Sequence, residues 1–143
     1  MAREILFKAK RRYDGEWVEG SYIHSRQINE YAKTSPYIIS YDDVLRGEMH
    51  FIDENTLCQY TGLTDKNGNK IWENDLVQID AYSYIECEED AFGVLEYSDA
   101  YASFGLSLED RFARICDLQG SYTTIYEVLG NIFDNKELLG GGE

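Results

Sequence analysis

The sequence predicts a mainly β protein in which an N-terminal hairpin layer is followed by a small, strongly curved, partly open barrel and a short C-terminal helix. Three observations carry this expectation. Twelve tyrosines supply side chains suited to a pleated, half-buried surface. Short runs alternate apolar and polar residues with a period of two. A single proline leaves those runs uninterrupted.

The first strand is expected from Glu4 to Tyr13, with Ile5, Phe7 and Ala9 on one face and Lys8 and Lys10 on the other. Asp14-Gly15 then reads as a two-residue turn with positive φ angles, and Glu16 to Ile23 as the returning strand. From His24 to Pro36 the chain is polar, a loop excursion in which Ser25 can cap one or two helical turns. Strands are expected at Tyr37–Tyr41, Met49–Ile52 and Thr56–Tyr60, with a turn region from Asp42 to Glu48. Thr64 to Lys70 is a loop, marked by the Asn67-Gly68 turn signal.

In the second half, Asn74-Asp75 turns the chain into a strand at Leu76–Asp80, and further strands follow at Ala91–Tyr97, Ala102–Leu106 and Ile125–Ile132. Short strands between tight or acidic loops suit a small barrel. An Asp before an apolar strand, followed by a Gly-Val strand, resembles the opening of SH3-like barrels, a fold-level analogy. Ser107 to Leu118 stays open: Leu108, Phe112 and Ile115 have helical spacing behind a loose capping box, yet Phe112 to Leu118 also suits a strand. Asp134 and Glu137 open a short helix that runs through Leu139 and stops at the glycines 140–142. A chain of 143 residues is sized for a single domain, here with an N-terminal β part (1–64) and a barrel-like part with its terminal helical turn (65–143).

Charge excludes some functions. With 27 acidic against 13 basic residues, the net charge of −14 repels phosphate backbones and anionic lipid, so no direct nucleic-acid or membrane binding is expected. The charge is uneven. Arg3, Lys8, Lys10, Arg11 and Arg12 against Glu4 give the first twelve residues +4, which leaves −18 for the rest. This basic head (Lys8, Lys10, Arg11, Arg12) is either a solvated hairpin face or a patch for self-association. Cys58, Cys87 and Cys116 cannot all pair within the chain and suit reduced thiols in a bacterial cytoplasm. No apolar run reaches the ~18 residues of a membrane span, and the N-terminus lacks a signal-peptide core.

The most distinctive block is Cys58 to Val77, which contains Gln59-Tyr60-Thr61-Gly62-Leu63, Asp65-Lys66-Asn67-Gly68 and Glu73-Asn74-Asp75-Leu76-Val77. It resembles the signature of the YopX-like proteins, small proteins of bacteriophages, prophages and other mobile elements. Arg3 to Ala9, Trp17 to Gly20 and Tyr126 to Leu139 also resemble that family, in the expected order. Asn74 and Cys58 each stand where the family pattern usually carries Gly. The resemblance implies a phage or prophage accessory protein and brings no reaction with it.

The residues themselves offer few chemical leads. Asp65-Lys-Asn-Gly-Asn starts like a calcium loop, but Lys70 and Leu76 stand where that motif needs Gly and Glu, so a turn is expected. The acidic run Glu86 to Asp90 reads as a solvated loop. His24 and His50 lack partners at metal-ligand spacing, and no nucleophile motif or phosphate-cradling loop is present; neither a metal, a cofactor nor a catalytic residue is expected. The family block has two open readings. Its residues are turn and core formers, or Tyr60 and Trp72 form an aromatic wall with Asp65, Asn67 and Asp75 orienting a small-molecule ligand.

Three functions follow for test. The first is a non-catalytic accessory protein that binds a host protein, with acidic mimicry of nucleic acid as a variant. The second is a homo-oligomeric protein that sequesters a small nucleotide-like ligand, the basic head serving its phosphates. The third is an enzyme whose site forms only in space.

Overall fold

Alternation in the first strand acts as its sequence predicts. Ala9 is fully buried, while Lys8 and Lys10 project from the other face over the ring of Trp17, at 4.6 and 5.4 Å. The computed structural model describes residues 4–24, 36–43, 46–83, 89–108, 112–115 and 122–139. Its order is β1 (Phe7–Arg11), β2 (Trp17–His24), β3 (Pro36–Asp43), β4 (Arg46–Thr64), β5 (Lys70–Trp72), β6 (Asp75–Ser83), β7 (Glu89–Ser98), β8 (Ser103–Ser107), β9 (Phe112–Arg114), β10 (Tyr122–Asn131) and the helix α1 (Lys136–Leu139). The mainly β class and the short terminal helix stand as expected.

The chain divides into two units, Met1–Tyr60 and Thr61–Glu143, so the division falls inside β4. In the first unit β1, β2, β3 and β4 follow one another antiparallel, and β1 also pairs with β4. The four strands therefore form a partly closed ring. Inside it Ala9, Ile38 and Ile52 are fully buried, with Phe7, Val18, Tyr22 and Leu57 packed against them. Gly20 permits the close approach of β2 and β3, since a Cβ there would stand 2.0 Å from the carbonyl oxygen of Ile39.

In the second unit the strand order is β10-β6-β7-β8-β9, antiparallel throughout. Its core joins Ile71, Val77, Ile79, Leu95, Leu106 and Tyr126, with Leu63, Leu108, Ala113, Ile115 and Val128 beside them. Alternation in β6 and β7 sends Val77, Ile79 and Leu95 to one face and leaves Gln78 and Glu96 exposed. Each fully buried aliphatic side chain contributes roughly 1.5–3 kcal/mol.

Several local expectations change. The first hairpin is joined by four residues, Arg12 to Gly15, because Arg11 N–H donates to Glu16 O (2.9 Å) and only Gly15 takes a positive φ, 74°. Asp14 bonds the Arg11 guanidinium and the Glu16 amide instead of entering the left-handed region. Ile5 precedes β1 and is 62% exposed, not inward-facing. The strands expected at Met49–Ile52 and Thr56–Tyr60 are one strand, β4, bulged opposite Lys8 and Lys10. Thr56 spans the bulge: its hydroxyl donates to Asp53 O (2.7 Å) and accepts from Lys10 N–H (2.9 Å).

The turn before β4 is shorter than expected, with Asp43 opposite Arg46. Phe112–Arg114 is strand, which settles that part of the ambiguous segment. The helix starts at Lys136, because Asn131 Oδ1 accepts the amides of Phe133 and Asp134 and holds a turn there first. The capped excursion after Ser25, the acidic residues 86–88, and Cys87 and Cys116 lie outside the described residues. No helix among the described residues is long and apolar enough to cross a membrane.

Candidate functional site

Asp65 and Asn67 share one turn of the distinctive block. Asp65 is 7% exposed, and its carboxylate accepts four hydrogen bonds. Oδ1 takes the amides of Asn67 and Asn69, each at 2.9 Å; Oδ2 takes the amide of Val128 at 3.1 Å and Asn69 Nδ2 at 3.3 Å. Desolvation pushes this carboxyl upward, but the bonds from Val128, Asn69 and Asn67 outweigh it and hold its pKa below the ordinary value. Lys66 N–H donates to Tyr126 O (3.0 Å), so the turn is tied to β10. Four donors occupy the lone-pair sites of one carboxylate, the geometry of an anchored turn.

Trp72 and Asp75 share the next turn. Both are buried, and Asp75 Oδ2 accepts the Trp72 amide at 2.7 Å. Between them Asn74 holds φ 73°, with its N–H on Leu95 O and its C=O receiving Ile132 N–H. Tyr60 is half-buried and belongs to the first unit, where its amide donates to Leu6 O.

The basic head lines two open grooves of the first unit. One, of about 490 Å³, is bordered by Lys10, Arg11 and Arg12 with Pro36, Ile52, Asp53 and Glu54. Its cations are anchored: Arg11 Nε meets Asp14 Oδ1 at 3.0 Å and stacks over Tyr13, while Arg12 Nε donates to Ile52 O at 3.1 Å. The bond to Asp14 raises the Arg11 pKa and lowers that of Asp14. Lys8 does not line this groove; it lies over Trp17.

The second groove, of about 380 Å³, joins Arg11 and Trp17 to Ser40, Glu48 and His50. Sequence spacing gave no hint of this cluster, which strand register creates. Ser40 Oγ is 3.0 Å from His50 Nε2, and Glu48 Oε2 is 3.6 Å from the same nitrogen. Whether Ser40 donates to or accepts from Nε2 depends on the tautomer of His50, so the contact assigns no role to the hydroxyl.

An aromatic array on β7, β8, β9 and their connection was also absent from the sequence-based candidates. Tyr101 stacks on Phe112 with centroids 5.7 Å apart and planes at 5°, and the Arg114 guanidinium sits 5.2 Å from the Tyr101 ring. Tyr97 meets Phe104 edge-on at 5.3 Å. Gly105 makes room for Phe112, because a Cβ there would stand 2.6 Å from its ring. That glycine inside a strand was the legible sign of close approach. Tyr97 and Tyr101 are 46% and 54% exposed, with exposed Glu96 and Asp99 alongside.

The family model described as YopX protein matches residues 6–140. The chain belongs to the YopX family. A crystal structure of protein EF1440 from Enterococcus faecalis is similar to this YopX chain with a TM-score of 0.54 at 24% identity, covering 96% of this chain and 99% of that one. That likeness speaks for the fold. No curated protein matches this YopX chain. At the glycine position of the YopX pattern, Asn74 takes the left-handed conformation that Asn tolerates best among residues with a side chain. At the other departure, Cys58 is buried and donates its thiol to Thr56 O.

Proposed function

We propose that this YopX-family chain is a non-catalytic phage or prophage accessory protein that works in the bacterial cytoplasm by binding a basic host protein through the aromatic face of its second unit. The observation that carries this reading is the stack of exposed Tyr101 on half-buried Phe112 beside the half-buried Arg114 guanidinium, with Glu96 and Asp99 exposed nearby in the chain. Tyr and Arg dominate binding hot spots because a large rigid ring or guanidinium is desolvated at small entropic cost. The unit's charge selects the partner's sign. Residues 61–143 hold five Lys/Arg against seventeen Asp/Glu, or −12, whereas residues 1–60 hold eight against ten, or −2. Mimicry of nucleic acid is the variant in which that partner is a DNA-binding protein.

The test captures partners from bacterial lysate with the full chain and with Tyr101→Ala and Arg114→Ala variants. Expected is a basic protein that the wild type retains, that both variants lose, and that salt above the physiological range releases. Capture unaffected by both substitutions overturns the reading. Displacement by duplex DNA supports mimicry.

A second reading rests on the groove bordered by Lys10, Arg11 and Arg12, which suits the phosphates of a small nucleotide-like ligand. A nucleotide at 100 times its dissociation constant stabilises its protein by about 2.7 kcal/mol, so a thermal-shift panel without any response removes this reading.

A further inference from the structure

The turn that Asp65 anchors holds the only Asn-Gly pair of the chain, Asn67-Gly68. Asparagine is chemically labile, and most so before glycine, where no Cβ shields the following backbone nitrogen from the side chain. Both residues are exposed, and a Cβ added to Gly68 would meet nothing within 4 Å, so water reaches the pair freely. The fold nevertheless keeps the reacting atoms apart. Gly68 N–H donates to Asp65 C=O (3.0 Å), and of Lys66, Asn67 and Gly68 only the glycine has a positive φ, so Asp65 to Gly68 is a type I turn. In such a turn Asn67 has ψ of about 0°. At that angle the Gly68 nitrogen eclipses the Asn67 nitrogen and lies away from the Asn67 Cβ, so Cγ reaches it only after ψ rotates. That rotation breaks the Gly68–Asp65 bond and displaces the loop amides of Asn67 and Asn69, which sit 2.9 Å from Asp65 Oδ1.

We propose that Asn67-Gly68 is a self-modification site, held closed by the Asp65 anchor and reactive when the turn opens. In the open turn Gly68 N bonds to Asn67 Cγ, the Cγ–Nδ2 bond breaks, and ammonia leaves with the proton of the Gly68 amide. Water then opens the cyclic imide. Cleavage of the new bond between Gly68 N and Cγ leaves an ordinary aspartate at position 67. Cleavage of the original peptide bond leaves an isoaspartate, whose backbone runs through Cγ. Neither product restores the turn. The isoaspartate adds a methylene to the loop, so the amides of positions 67 and 69 no longer both reach Asp65 Oδ1; the aspartate sets a second carboxylate beside the first. A transient opening thereby becomes a permanent loosening of the second unit, with water as the only co-reactant.

The test incubates the full chain at neutral pH and follows each asparagine by tryptic mapping and mass spectrometry, in native buffer and in urea. Asn67 is expected to deamidate first in urea and roughly tenfold or more slowly in the native chain. Asp65→Ala is expected to bring the native rate close to that in urea. Asn69→Ala removes only the 3.3 Å side-chain bond to Asp65 and is expected to raise the native rate roughly two- to tenfold, so the test does not depend on the harsher variant folding. Leu106→Val weakens the same unit in its core, away from the turn, and is expected to leave the rate at Asn67 near that of the wild type.

Far-ultraviolet circular dichroism establishes that the variants fold. Equal rates in native buffer and in urea overturn the proposal, as does another asparagine deamidating ahead of Asn67 in urea. A folded Asn69→Ala chain that reacts no faster than the wild type also overturns it. So does Leu106→Val accelerating the reaction as much as Asn69→Ala, because the gate is then global unfolding and not the turn. Binding of a host protein plays no part in these readouts, so this inference and the host-partner reading fail separately.

Discussion

Replacing Asp65 by Asn leaves the side chain's shape and removes one oxygen of the carboxylate. In the wild type Oδ1 accepts two loop amides at 2.9 Å, and Oδ2 accepts the Val128 amide at 3.1 Å and Asn69 Nδ2 at 3.3 Å. With the remaining oxygen at the Oδ1 position, the new amide nitrogen faces the Val128 N–H, donor against donor. The loss of a charge-assisted bond is roughly 1.5–3 kcal/mol, and an unpaired donor adds to it, giving a cost near 3 kcal/mol. Asp65→Ala removes every acceptor, but the exposed Asn67 and Asn69 amides regain water, so its cost is nearer 4 kcal/mol than four times a single bond.

Urea unfolding followed by Trp72 fluorescence in a Trp17→Phe background reads the second unit alone. With a slope of about 2 kcal/mol per molar urea, Asp65→Asn moves the midpoint down by roughly 1.5 M. The pH dependence has a definite sign. The folded pKa is depressed, so the stabilisation is complete above the unfolded value of about 3.9 and disappears as pH falls through the lower folded value. The gap between wild type and Asp65→Asn is therefore full at neutral pH and narrows in acid. A midpoint within about 0.25 M of wild type at neutral pH, or a gap that widens in acid, refutes the anchoring argument.

Tyr126 is buried in the second core, its hydroxyl finds no hydrogen-bond partner among the described residues, and burial pushes its pKa up to about 12. Tyr126→Phe is expected to raise stability by about 1 kcal/mol in the same urea assay. Asn74→Val places a β-branched residue at φ 73° and is expected to cost about 1–2 kcal/mol, whereas Asn74→Gly stays within about 0.5 kcal/mol of wild type or gains slightly. Gly105→Ala drives a methyl into the Ala113 carbonyl and the Phe112 ring, and is expected to lower the thermal midpoint and abolish the aromatic circular-dichroism band of the Tyr101–Phe112 stack. The first unit, whose fully buried apolar side chains among the described residues are Ala9, Ile38, Ile52 and Cys58, is expected to unfold at lower urea by Trp17 fluorescence than the second by Trp72 fluorescence.

What was legible in the sequence was local. Alternation in Phe7 to Lys10 placed the first hairpin, and Asp65 to Asn69 was recognisable as a turn because its amides find their acceptor within four residues. The anchor of that same turn was not legible, since Val128 lies 63 positions further on. Asp53-Glu54-Asn55 reads as a break between strands; only the Thr56 hydroxyl and the β1 partner show that it is a bulge inside one strand. Ring closure by β1 and β4, the Ser40–His50 contact and the Tyr101–Phe112 stack depend on register, which sequence spacing does not encode.

The Asp65 turn also has a consequence for how this protein behaves in a crowded cell. β10 ends the strand order of its sheet and is ten residues long, so its outward N–H and C=O groups resemble a template for any passing strand. Asp65 occupies the Val128 N–H and Lys66 the Tyr126 C=O, a side chain and a backbone amide standing where a neighbour's backbone would pair. The turn thus works as a guard against edge-to-edge aggregation. Loss of Asp65 frees the Val128 N–H on that edge, and Asp65→Ala is expected to aggregate faster than the wild type by light scattering at neutral pH.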